Sequence, residues 1–334
     1  MPAKEALQKV DVHKLQIGMY VYMPVSWKAH PFLINNFRIS SPSQIQKIIE
    51  AGLKDVMVDA ARSKISGKWP VDEPQKGPDP KEGKDEAAAS ATVLEEIREA
   101  VSDKTLPMED KTRIVYTRSV EMINEVLDRP TTKNIGEAKK AIVGIVDMIL
   151  SEKETSHYLT QITSHDFYTY THSVNVGFFG VCLARTVLQN SDAHDMHELG
   201  AGFFLHDLGK LRIPSEIINK PGRLSEEEMG VIRKHPSQGY KILQEARQLT
   251  EECKTVVLQH HERMDGTGYP KRLRGEEIHI YGKICSVADV YDALTSDRPY
   301  RQQMRPFEAL QLMKNEMINH FQRELFEKFV LMLT

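Results

Sequence analysis

Residues 203–210, "FFLHDLGK", set an adjacent His206–Asp207 pair at the end of an apolar run, just before a glycine turn and Lys210. A carboxylate placed after the apolar residues of a core helix is costly to bury unless a cation meets it. A divalent metal is such a cation. Asp207 has two oxygens and can bridge two ions, whereas His206 offers one nitrogen to one ion. Residues 260–270, "HHERMDGTGYP", put two further histidines side by side. Neighbouring side chains on a helix diverge by about 100°, so His260 and His261 suit two ions better than one side of a single ion. His172 in "YTYTHSVNVG", His235 in "RKHP" and Asp289 in "SVADVYDAL" bring the set to five histidines and two aspartates. A closed tetrahedral zinc site needs about four ligands, so the set suits two ions with positions left open for water or substrate. The His/Asp mixture favours iron, manganese or zinc over magnesium or calcium.

A single histidine on an apolar helix is ordinarily a hydrogen-bonded core residue, and the chain has 13 of them. The His-Asp dipeptide also occurs at 165–166 and 194–195, but only 206–207 has the apolar lead-in and the Gly-Lys that follows. The weight therefore rests on the whole set.

These side chains need helices to carry them. "RLSEEEMGVIRKHP" reads as a helix opened by a Ser225/Glu228 capping box, with Pro236 pushing His235 toward extended geometry at its end. "LTEECKTVVLQHHERM" is a second, capped by Thr250, and "KICSVADVYDALTS" a third. Residues 174–188 form a core helix. Apolar spacing of three and four predicts helices near 91–104, 109–128 and 136–152, with Ile142, Ile145, Val146 and Ile149 on one face. Nearer the N-terminus, Ile17, Met19, Val21 and Met23 alternate as in a half-buried strand. "SSPSQIQKIIEAG" has Ser41 as N-cap, Pro42 at the first helical position and Gly52 past the end. "LKDVMVD" reads as a strand. The expected organisation is a small α+β module over 1–65, a flexible Pro-rich linker over 66–90, a helical connector over 91–154 and an all-helical bundle over 155–334, mainly α overall. Residues near 91–152 are candidates for a homodimer stalk.

The formal net charge of −3 provides no global attraction to a nucleic-acid polymer or an anionic membrane, so an anionic ligand needs a local site. Three scattered cysteines fit a reducing compartment. The N-terminus lacks an apolar signal region and no apolar run reaches the ~18 residues of a membrane span. The expectation is a cytoplasmic protein.

"HDLGK", "KHP", "HHERMDGTGYP" and "ADVYDALTSDRPYR", in that order, resemble the HD-GYP family of HD metal-dependent phosphohydrolases. The resemblance covers roughly 155–334, and the front module with its linker is similar to a domain of unknown function often fused to such domains. The resemblance implies an all-helical HD bundle that hydrolyses the second messenger cyclic di-GMP to pGpG, or on to GMP. The implied metal ligands are His172, His206, bridging Asp207, His235, His260, His261 and Asp289. The implied ions are two divalent transition metals, Fe or Mn foremost, with Zn, Ni or Co as alternatives. A metal-activated hydroxide would attack phosphorus. Lys210 would be catalytic with Asp207 and contact the scissile phosphate. Asp292, Arg298 and Arg301 would line the substrate side with Gly268, Tyr269 and Pro270. The GYP loop is also linked in the family to contacts with other cyclic di-GMP signalling proteins. Members with three ions carry a glutamate one turn before the first ligand histidine. Here that position is Tyr168, a poor ligand, which predicts two ions. The competing readings are a catalytically inactive HD-GYP scaffold and an HD-type hydrolase of another nucleotide.

Overall fold

The computed structural model describes residues 7–22, 36–39, 42–50, 52–59, 63, 84–152, 158, 169–188, 193–218, 220, 222–296 and 303–333. The chain divides into two compact units, Met1–Ala89 and Ser90–Thr334. Among the described residues no helix is long and apolar enough to cross a membrane.

In the first unit, β1 (Leu7–Asp11), β2 (Tyr20–Tyr22), β3 (Asn36–Arg38) and β4 (Asp55–Asp59) form an antiparallel sheet of order β1-β4-β2-β3. Its core gathers Val10, Met19, Val21, Ile48, Val56 and Val58. Helix α1 (Pro42–Glu50) begins at the expected proline, and Gly52 past its end adopts φ +73°, a region that glycine enters without Cβ strain. Two readings change. The strand at 20–22 is shorter than the 17–23 alternation, because Ile17 sits in a turn and is 49% exposed. β1 had no clean alternation and went unread. Met23, Ser41 and residues 66–83 lie outside the described residues.

The second unit is helical: α2 (Lys84–Ser102), α3 (Met108–Asp128), α4 (Thr132–Ser151), α5 (Thr169–Val187), α6 (Met196–Leu205), α7 (Ser215–Ile218), α8 (Glu226–Ile232), α9 (His235–Glu245), α10 (Glu251–Gln259), α11 (Ile280–Thr295), α12 (Pro306–Glu316) and α13 (Arg323–Leu333). α2 begins inside the segment expected as linker. α3 and α4, expected as a connector or dimer stalk, pack on α5 and α6. Their apolar faces, Val115 and Ile123 on one and Ile142, Ile145 and Ile149 on the other, enter the same core as Phe178, Phe203 and Ile284. A helix with so wide an apolar stripe is stabilised chiefly by burying it.

Local signals start several of these helices. Thr131, Ser225 and Thr250 accept from the backbone amides of Asn134, Glu228 and Cys253, and Glu228 completes a capping box at Ser225. Pro236 acts differently from the expectation. His235 and Pro236 open α9 instead of closing α8, because a proline in the first turn withholds an amide that has no helical partner anyway.

Candidate metal centre

Four helix ends and the middle of one helix bring the seven expected ligands together. His172 comes from the first turns of α5, and His206 with Asp207 from the end of α6. His235 starts α9, His260 and His261 end α10, and Asp289 lies within α11. Two donor sets have their ligand atoms within 4.8 Å of one another: His172, His206 and Asp207, and Asp207, His235, His260 and His261. Asp207 belongs to both. Its Oδ2 lies 3.4 Å from Nε2 of both His172 and His206. Its Oδ1 lies 3.2 Å from His235 Nε2 and 3.8 Å from His260 Nε2. Asp289 stands at the edge of both sets, with Oδ1 3.1 Å from His172 Nε2 and Oδ2 3.4 Å from His261 Nδ1.

The far side of each ring decides what the near side can do. Nδ1 of His206, His235 and His260 lies 2.8, 2.8 and 2.9 Å from the carbonyls of Phe203, Ile232 and Val257. A carbonyl only accepts, so the ring proton sits on Nδ1 and the Nε2 lone pair faces the cluster. His235 Nε2 and His260 Nε2 then meet at 3.1 Å, lone pair to lone pair, with carboxylate oxygens close behind. His172 Nε2, His206 Nε2 and Asp207 Oδ1 are buried without a hydrogen-bond partner. Such a pocket of opposed acceptors is costly unless a cation lies among them, and the donor set suits divalent transition metals. The residues fit such an ion, so the cluster can hold divalent metal.

Electrostatics agree. Burial brings His235 down to about 4 against the pull of Asp207, and His261 to about 3 against Asp289. Burial, with His261 and His206 acting the same way, holds His260 well below the ordinary histidine range. These rings are neutral at neutral pH. Burial also opposes charge on His172, but the neighbouring carboxylates of Asp207, Asp289 and Asp292 outweigh that and hold it well above its usual range. Burial works against ionised Asp207 and Asp289. Lys210 and His206 overcome it at Asp207, and His172 and His261 at Asp289, so both stay well below the carboxylate range.

A pH dependence follows for the metal-free protein. His235, His260 and His261 are neutral when folded but bind protons near pH 6.5 when unfolded. Acidification below that point therefore favours unfolding, until about pH 4 for His235. Each contributes up to about 1.4 kcal/mol per pH unit. His172 has the opposite sign: its stabilisation is complete below pH 6.5 and lost as pH rises through its raised value. Thermal melts of metal-free protein are expected to fall steeply between roughly pH 6.5 and 4. A flat profile would contradict buried neutral rings.

Other expected site residues are placed less uniformly. Lys210, in the turn over 208–212, pairs with Asp207 and stays partly exposed. Asp292, expected on the substrate side, is 1% exposed and accepts from His172 Nδ1 at 2.6 Å. It also accepts from Asn175 Nδ2 at 2.6 Å and Ser296 Oγ at 3.1 Å. It lies behind His172, because the position one turn along α11 from Asp289 points toward α5. Tyr269 packs on His261 with ring centroids 4.7 Å apart, and burial raises its phenol above the usual range. A Cβ on Gly268 would come 2.4 Å from Arg263 N and 2.5 Å from His261 O, so the loop folds back on the double histidine only with glycine there. Arg298, Arg301 and Tyr168 lie outside the described residues.

Glu262 was not singled out. It is 2% exposed and accepts from the amides of Lys271 at 2.7 Å and Leu273 at 2.9 Å, pinning the loop that carries Tyr269. Its signal was an acid directly after two adjacent histidines. Gly209 has a similar role in assembly. A Cβ there would meet His235 O at 1.8 Å and Gly239 N at 2.4 Å, so the turn bearing Lys210 lies flat on α9. Gly209→Ala is expected to cost about 3 kcal/mol or more, above ordinary overpacking since backbone cannot give way. In a domain of this size that lowers Tm by roughly 6–12 °C, readable by calorimetry.

Fold and cluster together define an HD-type domain with a His/Asp cluster that can hold divalent metal. The family model described as "HD domain" matches residues 147–325, and that described as "Domain of unknown function (DUF3391)" matches 7–141. The chain belongs to the HD domain family. It is 33% identical to a cyclic di-GMP phosphodiesterase of Pseudomonas aeruginosa, over 97% of this chain and 76% of that protein. Over 29% of this chain and 26% of the other, it is 46% identical to a cyclic di-GMP phosphodiesterase response regulator of Xanthomonas campestris. A 3′3′-cGAMP-specific phosphodiesterase of Vibrio cholerae is 34% identical over 58% of this chain and 37% of its own length. A solved HDG"Y"P protein of Bdellovibrio bacteriovorus shares the fold, with TM-score 0.61 and 18% identity over 97% of this chain and 98% of that one.

Proposed function

We propose that this chain is a phosphodiesterase that opens cyclic di-GMP to pGpG at a centre for two divalent ions, Fe or Mn foremost. The ligands would be His172, His206, Asp207, His235, His260, His261 and Asp289, with Asp207 shared. The observation that carries the reading is the division of Asp207, one oxygen facing each histidine pair. The names of the relatives supply the substrate class.

Bound ions would bring the pKa of a water near neutral and offset charge on the phosphodiester. The chain's own residues do the rest. His206, His235 and His260 form a fully buried floor, where solvent does not compete for the ligand atoms. Lys210, paired with Asp207 yet partly exposed, carries its charge toward a phosphate at the mouth and favours the more negative transition state. Tyr269 walls the side next to His261. Because pGpG keeps a 5′ phosphate, the bond that breaks is P–O3′. The water oxygen joins phosphorus and the ribose 3′ oxygen takes a proton.

The test is chromatography of products from cyclic di-GMP, 3′3′-cGAMP and a nucleoside triphosphate, each with Mn²⁺-loaded protein. Cyclic di-GMP is expected to be the best substrate, yielding pGpG. Preference for 3′3′-cGAMP would move the chain to the other substrate class named among its relatives. Metal-loaded protein that hydrolyses none of them is a scaffold.

A further inference from the structure

We propose that Tyr116, on α3, is a positioning residue for the metal centre, acting through Asn175 and Asp292 on His172. Tyr116 Oη donates to Asn175 Oδ1 at 2.8 Å. Asn175 Nδ2 donates to Asp292 Oδ1 at 2.6 Å, and His172 Nδ1 lies 2.6 Å from Asp292 Oδ2. Tyr116, Asn175 and Asp292 are all buried, so water does not substitute for any link. The polarity is determined by the partners. An ionised carboxylate only accepts, so the Asn175 amide must turn its nitrogen to Asp292 and its oxygen to Tyr116. The Nδ1 proton of His172 must likewise face Asp292. Nε2 is then the atom left to face Asp207 and Asp289.

The relay joins the two family-matched segments. Tyr116 lies within residues 7–141, whereas His172, Asn175 and Asp292 lie within 147–325. Packing holds its start in place: the Tyr116 ring stacks on Phe178 with centroids 5.9 Å apart. Without the hydroxyl, Asn175 Oδ1 is buried and unpaired. The amide is then held by one bond instead of two, and the orientation of Asp292 and of His172 loosens with it. Partners behind a ligating histidine set its direction and its affinity for metal. The N-terminal segment thus completes the HD centre from 59 residues before the next link in the relay.

The inference rests on the cluster being a metal centre, and the experiment separates the two. Metal-free wild type, Tyr116→Phe, Asp292→Asn and Ser119→Ala are titrated with Mn²⁺ alone, following the EPR signal of the free ion. Each metal-free protein is also melted. Ser119 is buried on the same helix and bonds only its own turn at Val115 O, so it reports generic damage to α3. Asp292→Asn is expected to weaken Mn²⁺ binding by about 10–100-fold, Tyr116→Phe by a smaller but clear several-fold factor, and Ser119→Ala not at all. Tyr116→Phe that lowers the melting temperature yet binds Mn²⁺ as wild type does would overturn the relay. So would Asp292→Asn that weakens binding while Tyr116→Phe matches Ser119→Ala. Wild type that binds no Mn²⁺ overturns the metal-centre reading, and the relay with it.

Discussion

Asp207→Ala is expected to bind fewer ions and to lose at least about a thousandfold in kcat, on a scale where one preorganised charge-stabilising donor is worth roughly 10²–10³. The reason is the placement of its two oxygens. One faces His172 and His206, the other His235 and His260, and among the described residues Asp207 is the member common to both donor sets. Loss of the carboxylate leaves Lys210 without its partner and the lone pairs of His235 and His260 opposed at 3.1 Å. Asp207→Asn keeps the shape and one neutral oxygen. It should hold ions more weakly than wild type and better than alanine. Elemental analysis beside turnover of cyclic di-GMP reads the result. An alanine variant with a full complement of metal and undiminished turnover would end the bridging role.

Removal of metal by a chelator is expected to abolish hydrolysis and to destabilise the protein together. The buried acceptors of His172, His206 and Asp207 would lose the cation that compensates them. Ions that bind only the folded chain stabilise it by about 2.7 kcal/mol at a hundredfold excess over Kd. For a domain of this size that corresponds to a Tm increase of roughly 5–10 °C. Dialysed protein given back Mn²⁺ or Fe²⁺ should recover both properties in parallel. Activity that survives exhaustive chelation would remove metal from the reaction.

The legible part of the site was its chemistry. His206–Asp207, His260–His261, His172, His235 and Asp289 stood out as donor types beside apolar runs, and the structure draws all seven within one cluster. The capping box at Ser225 and the cap at Thr250 were legible for a different reason, since each partner lies three residues away. Pro236 was misread because a proline near a helix boundary fits either side of it. Its place in the first turn of α9 sets the His235 carbonyl against the Gly209 turn.

What stayed hidden depends on partners distant along the chain. Asp292 looked like a second polar position of a motif, and its role behind His172 comes from a residue 120 positions earlier. Glu262 carries no periodic signal, and its two amide partners belong to a loop folded back on it. The faces of α3 and α4 announced burial without naming the surface that buries them. Residue type and local spacing dictate which groups can ligate, cap or break a helix, because those effects act within a turn. The ring nitrogens of His206, His235 and His260 are set just as locally, by the carbonyl three residues back. Packing across the core chooses which rings meet and which carboxylate enters the cluster or braces His172, because those partners lie on other helices.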